Sequence, residues 1–303
     1  MNFASDNDSE LEAVAAELRK LDSDGSRIGR VLRETLDQLY DGQRTGRYRW
    51  DQLYKTEKTH CGTLVEINLQ REFHFGDGQK LDYCIAGIEV DCKYSQSIGG
   101  WMIPREAVGH LCLLVWANDE DSQWSAGLIR ISDAILNPGK NLDSKRTISA
   151  ANRPLIRWLF DHDSLPPNIL LQLPRATVDN IMALPSGQKR VNEIFRVTLE
   201  RRIGRGVIAT LAQQVDYMKR VRGNGGARSV LKGEGIIILG QYDSHRRVAQ
   251  ELCVPVPGEG ESVSVRVTRA SGPRDGTTEI NGTYWRIAAD SDPVEPAPDP
   301  PFA

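Results

Sequence analysis

Leu81-Asp82-Tyr83-Cys84-Ile85-Ala86-Gly87-Ile88-Glu89-Val90-Asp91-Cys92-Lys93-Tyr94-Ser95 alternates apolar and polar residues about a central Ala86-Gly87, the pattern of two strands joined by a two-residue turn. That turn sets the register: Ile85 opposite Ile88, Cys84 opposite Glu89, Tyr83 opposite Val90 and Asp82 opposite Asp91. Side chains in a strand alternate between faces, so Tyr83, Ile85, Ile88, Val90 and Cys92 form an apolar face directed at a core. Asp82, Cys84, Glu89, Asp91 and Lys93 form the other. Two carboxylates opposed across a strand pair, with Cβ atoms roughly 5 Å apart, repel by on the order of 3 kcal/mol at an effective dielectric near 20. A divalent cation removes that repulsion, and hard carboxylate oxygens are what Mg2+ prefers. Lys93, on the same face, is placed to reach a phosphate or an activated water. An Asp-x-Lys triplet alone is common on solvated edge strands; the opposed Asp82 makes this one informative. Glu66, on the preceding helical stretch, is the candidate third carboxylate, and Glu89 reads as a surface charge.

Upstream, Ser9–Leu21 and Ile28–Tyr40 carry apolar residues at helical spacing, separated by the turn-forming Asp22-Ser23-Asp24-Gly25. Thr59–Phe73 reads as a third helix with Leu64, Ile67 and Phe73 inward. Downstream, His110–Trp116 is a continuous apolar run suited to a strand covered on both faces, and Trp124–Ile131 returns as another. Helices, hairpin and buried strands together predict an α+β fold, a mixed sheet flanked by helices.

Residues 160–168, with Pro166-Pro167, read as a linker between a nuclease domain over 1–159 and a second domain over 169–290. In the latter, Val191–Arg202 and Gly204–Val221 read as helices, and Gly235–Gly240, Ser262–Val267 and Thr283–Ile287 as strands. That order suits a winged-helix or helix-turn-helix module. Between Lys189 and Lys232 stand eleven basic residues against three acidic ones, a footprint for phosphates in a chain whose net charge is only −3. Lys219, Arg220, Arg222, Arg228 and Lys232 surround the turn Gly223-Asn224-Gly225-Gly226 and are the candidate DNA contacts. Residues 291–303 are rich in proline and read as a disordered tail.

Composition bounds the rest. No apolar run approaches the roughly 18 residues that span a bilayer, and the first residues lack the order of a signal peptide, so a cytoplasmic protein is expected. The five cysteines are scattered without a C-x-x-C pair and read as reduced core residues. The five histidines share no metal-ligand spacing.

Longer blocks carry a resemblance. Thr35–Arg47, Lys55–His60, Gly62–Asn68, Val90–Lys93, Arg220–Gly223 and Glu234–Gly240 closely resemble the NaeI family of type II restriction endonucleases, over about Leu21 to Val256. The resemblance implies a restriction-endonuclease fold whose catalytic set falls on Glu66, Asp82, Asp91 and Lys93, with Mg2+ held by the three carboxylates. Leu81 replaces the proline that precedes the first aspartate in the broader nuclease pattern. The resemblance also implies a homodimer acting on double-stranded DNA at GCCGGC, stimulated by a second copy of that site bound to the C-terminal domain. Leu39-Tyr40-Asp41-Gly42 has leucine where the Lys-x-Asp-Gly adenylation motif of DNA ligases needs its nucleophile, and reads as a helix end. Two rivals stand beside the nuclease: a strand transferase using Tyr40 or Tyr54 as nucleophile, and a regulator that binds DNA without cutting it.

Overall fold

The computed structural model describes residues 8–138 and 145–301. The first seven residues, whose order argued against a signal peptide, and residues 302–303 of the expected tail lie outside the described residues. In chain order the elements are α1 (Ser9–Leu21), α2 (Ser26–Tyr40), α3 (Gly42–Thr45), α4 (Lys55–Phe73), β1 (Gly76–Asp77), β2 (Tyr83–Ile85), β3 (Ile88–Ser95), β4 (Leu111–Asn118), β5 (Gln123–Arg130) and β6 (Arg157–Ser164). There follow α5 (Ile169–Gln172), α6 (Arg175–Met182), α7 (Gly187–Val197), β7 (Arg202–Gly204), α8 (Arg205–Ala212), α9 (Ala227–Lys232), β8 (Ile236–Leu239), α10 (Asp243–Glu251), β9 (Glu261–Arg269), β10 (Thr277–Ile280) and β11 (Thr283–Ile287). The class is α+β, as expected.

Two compact units are formed. The first runs through Leu39 and resumes at Leu53–Pro166; the second takes Tyr40–Gln52 and everything from Pro167 onward. The break at Pro166-Pro167 falls inside the expected linker, but β6 occupies the start of that stretch, pairing with β5 from Gln123↔Ser164. Asp163 pairs with Trp124, while Asp161 and His162 fall at a register shift where His162 N donates to Ser125 Oγ at 2.8 Å.

In the first unit the sheet order is β1-β2-β3-β4-β5-β6. Every pair is antiparallel except β3 with β4. β4 is buried along Leu111–Ala117, so its apolar run is explained by cover on both faces. On one face Cys112, Leu114 and Trp116 pack with Trp101, Ile103 and Ile129. α1 is capped by Asp8, whose carboxylate accepts from Leu11 N at 3.1 Å, and buries Val14, Ala15 and Leu18. α4 buries Cys61, Val65, Leu69 and Phe73, an i, i+4 row. Leu64 and Ile67, expected inward, are only half-buried, because the helix presents the row through Val65 to the sheet.

The second unit has two apolar clusters. One joins Ile169, Val178, Ile194, Phe195, Leu211 and Leu231 with Tyr48 from the 40–52 segment. Gly42 begins α3 where it meets α8, and a Cβ there would run into Thr210 Oγ1. The other cluster packs α10 on β8, β9 and β11 through Val248, Leu252, Ile237, Val265 and Trp285. Helices followed by a small sheet are present, with two departures from expectation. The helix expected over 204–221 ends with Ala212, where Gln213 turns left-handed (φ 49°), and only a short helical turn, Tyr217–Arg220, follows. The helix expected to reach Arg202 stops at Val197, and Arg202 starts β7.

Residues 291–301, expected to be disordered, pack on this unit. Ala297 is buried in the second cluster, and its N–H donates to Lys232 O at 2.9 Å. Glu295 accepts from Thr268 Oγ1 and Arg269 N, each at 2.7 Å, and Asp299 pairs with Lys232 at 2.7 Å. Proline removes donors from the segment, yet specific partners satisfy what remains.

Candidate active site

The hairpin forms in the expected register: Tyr83↔Val90, Cys84↔Glu89 and Ile85↔Ile88. Ala86 (φ 52°) and Gly87 (φ 78°) both have positive φ, as a tight primed turn demands. Tyr83, Ile85, Val90 and Cys92 are buried on the core face. Asp82 lies one residue ahead of β2, so the aspartates meet at the open end of the ladder rather than within it.

There the opposite face gathers its charge. Lys93 Nζ donates to Asp91 Oδ1 at 2.8 Å, to Asp82 Oδ2 at 3.2 Å and to Cys92 O at 2.8 Å. Asp82 Oδ2 also accepts from Cys92 N at 2.7 Å, which pins it to β3. The mutual repulsion of the aspartates, expected to be relieved by a metal alone, is thus relieved here by the lysine. Asp91 is only 3% exposed, because β4 lies alongside β3 and opposes Asp91 with Cys112. Cys112 Sγ stands 3.7 Å from Asp91 Oδ2.

Burial pushes the Asp91 carboxyl above its ordinary range, against the pull of Lys93 and with Asp82 adding to the rise. Burial pulls the Lys93 ammonium down, but Asp91 and Asp82 outweigh it and leave the group raised. The pair therefore keeps its proton on the lysine. Three donated N–H bonds say the same, since a neutral amine has only two.

Glu66 stands near the middle of α4, beside the buried row. Its carboxyl is raised first by burial, then by Asp82, with Lys93 opposing and Asp91 adding, so it shares the field of the hairpin cluster. The structure thus brings Asp82, Asp91 and Lys93 into direct contact, and Glu66 responds to their charge from α4. Glu89 does something else: it accepts from the backbone N–H groups of Gln79 and Lys80 and holds the loop before Asp82. Two participants were not foreseen. Cys112 had no signal beyond its place in an apolar run, and the Tyr83 hydroxyl, on a residue assigned only to the core, donates to Glu66 O at 2.7 Å.

A hard divalent cation fits the donor set. Asp82 and Asp91 present oxygens within 3.2 Å of one point, now taken by Nζ, whereas Glu66 is tied to them through its electrostatics. Among the described residues no three His, Cys, Asp or Glu side chains are grouped so as to hold a metal ion. All five cysteines are free; Cys61, Cys92 and Cys112 are buried as expected, whereas Cys253 is exposed.

The five basic candidates of the second unit separate. Lys219 is 63% exposed and pairs with Asp216 at 2.6 Å; Arg222 is exposed on the turn. Arg220 Nε donates to Gln214 Oε1 at 2.8 Å. Arg228 points inward, its Nε donating to Ile238 O at 3.1 Å, and Lys232 is held by Asp299. Of the rival tyrosines, Tyr40 is 2% exposed and out of reach of DNA, while Tyr54 is 74% exposed. No helix is long and apolar enough to cross a membrane among the described residues.

The sequence model of the family described as "Restriction endonuclease NaeI" matches residues 12–296. The chain is 52% identical over 306 residues to the type II restriction enzyme NaeI of Lentzea aerocolonigenes, an alignment covering 98% of this chain and 96% of that protein. With a carboxylate and lysine cluster on β3, and with likeness along nearly its whole length, the chain belongs to the NaeI family of restriction endonucleases.

Proposed function

We propose that this protein hydrolyses double-stranded DNA with Mg2+, holding the ion on Asp82, Asp91 and Glu66 with Lys93 beside it. The observation that carries the reading is the convergence of Asp82 and Asp91 on Lys93 Nζ where the β2–β3 ladder ends. When bound, Mg2+ would polarise the scissile phosphate and lower the pKa of the attacking water. Asp82, fixed by the Cys92 amide, and Asp91, fixed by burial, are preorganised to hold positive charge at one place. Lys93 carries a full charge and offers it to the phosphate oxygens as negative charge builds there, an electrostatic role rather than that of a base. Glu66 adds a carboxylate from outside the hairpin.

The finer features follow from the family resemblance. The target is GCCGGC, read by a homodimer in the cytoplasm, one subunit cutting each strand of the palindrome. The unit containing 169–290 binds a second copy of the site and stimulates cleavage by the nuclease unit, with Lys219, Arg220 and Arg222 on effector phosphates. The two-unit architecture and the exposed basic turn support that division of labour.

The test is incubation of supercoiled plasmids bearing none, one or two GCCGGC sites with Mg2+, an EDTA control, and sequencing of the ends. Cleavage at the site, fastest with two copies, is expected. Random ends would remove the target, equal rates on one and two sites would remove the effector, and intact plasmid would remove the mechanism. A covalent protein–DNA adduct lost on Tyr54→Phe would favour strand transfer instead.

A further inference from the structure

We propose that Tyr83 is a positioning residue for Glu66: its phenol fixes the turn of α4 that carries Glu66 relative to the Asp82–Asp91 pair. The proposal rests on the reading of Glu66, Asp82 and Asp91 as one metal-binding set.

Two of the three carboxylates stand at one end of a hairpin whose backbone ladder fixes their separation. The third stands on a helix, and helix and hairpin are joined through side chains. Tyr83 immediately follows Asp82, and its side chain leaves the opposite face of the strand, where it is fully buried. The ring packs against Phe75 at 5.2 Å between centroids, and Phe75 stacks on Phe73 at the end of α4. With the ring so confined, the hydroxyl has one place to go, and it donates to Glu66 O at 2.7 Å. A carbonyl within a helix already accepts from the amide four residues on, so the phenol uses the second lone pair and leaves the helix intact. Asp82 and Glu66 are therefore linked through a rigid ring and one short hydrogen bond. Partners that bond a ligating side chain itself are worth about 10- to 100-fold in metal affinity, and the Tyr83 tie acts one step back, on the backbone that carries the carboxylate.

The experiment is Mn2+ binding to the full-length, DNA-free protein by calorimetry, with thermal unfolding in parallel. Tyr83→Phe keeps the ring and removes only the donor, and its Mn2+ Kd is expected to rise about tenfold with little change in Tm. Glu66→Gln is expected to weaken binding at least as much, and adding Tyr83→Phe to it to cost nothing further, because the phenol acts through Glu66. Gln70→Leu cuts a neighbouring tie, from Gln70 Nε2 to Asp77 Oδ1 at 2.7 Å, and is expected to leave the Kd unchanged. An unaltered Kd for Tyr83→Phe overturns the proposal. So does a further loss in the double variant, or an equal loss in Gln70→Leu. If Glu66→Gln and Asp91→Asn both bind Mn2+ like the parent, the metal-site reading itself fails, whatever Tyr83 does.

Discussion

Asp91 and Lys93 stand two residues apart on β3 and meet at 2.8 Å, Nζ to Oδ1. Both side chains leave the same face of the strand, and the aspartate is the more deeply buried of the two. Under the proposed mechanism this contact ties activity to stability.

Lys93→Met is expected to lower cleavage on the order of 10²- to 10³-fold, the usual cost of one lost charge-stabilising donor, while gel shifts show DNA still bound. The variant also removes the strongest influence holding the Asp91 carboxyl down, leaving burial to raise it further. A raised carboxyl contributes stability that is present at low pH and lost as pH climbs through its folded-state value. The stability deficit of Lys93→Met, read from urea midpoints, should therefore be smaller at pH 5 than at pH 8; an equal deficit at both would contradict the burial of an unpaired carboxylate.

Arg222 and Arg228 carry the same charge six residues apart but face differently. Arg222→Ala is expected to weaken binding of a GCCGGC duplex and to reduce the slope of log K against log salt by about one. Arg228→Ala is expected instead to lower the unfolding midpoint, since its guanidinium is engaged with Ile238 O beneath the basic turn. Fluorescence anisotropy across a salt series, with thermal melts, separates the two; a full salt-slope loss in Arg228→Ala with an unchanged melt would reverse the assignment.

Arg33 is buried between two carboxylates, bonding Asp119 and standing 2.8 Å from Asp37, whose carboxyl is raised chiefly by burial. Arg33→Ala strands that charge and is expected to cost about 3–5 kcal/mol in chemical denaturation. Adding Asp119→Asn should recover part of the loss, because the second change removes the carboxylate that Arg33 bonds. Simple additivity of the two would show that Arg33 matters only as packing.

His245 is buried with Nδ1 accepting from Gly240 N at 2.9 Å and Nε2 facing Pro301 O at 3.0 Å. Burial, helped by the charge of Arg228, lowers its pKa below the ordinary 6.5. A lowered imidazole contributes stability that is present above the unfolded value and lost as pH falls through the folded one. Melting temperature should thus decline on acidification below about pH 6.5. In His245→Asn, whose amide oxygen replaces the acceptor without titrating, the decline should be shallower, and superimposable pH curves would refute the link.

Much of the candidate site's hairpin geometry was legible because its determinants are local. Ala86-Gly87 fixes the turn, the turn fixes the register, and the register puts Asp82, Asp91 and Lys93 together. What depended on distant partners was not. The inner row of α4 is set by the sheet it meets, so Val65 and Leu69 displaced the expected Leu64 and Ile67. Asp91 becomes buried only because β4 runs beside it, and no local pattern announces a parallel neighbour. Residues 291–301 read as disordered from composition, yet Ala297, Glu295 and Asp299 each find a partner remote in sequence. The helix expected to continue to Val221 stops because Gln213 adopts a left-handed conformation, which apolar spacing does not reveal.

The segment Tyr40–Gln52 is a loan from the front of the polypeptide to its rear half. Tyr48 fills that half's core, and its carbonyl receives Asn168 Nδ2 at 2.8 Å. A gene fragment starting at Pro167 would encode a body with a missing plug, and one stopping at Pro166 would carry an orphaned insert. Severing the molecule cleanly takes three cuts and two splices rather than one cut, so neither half can be engineered as a cassette by a single crossover.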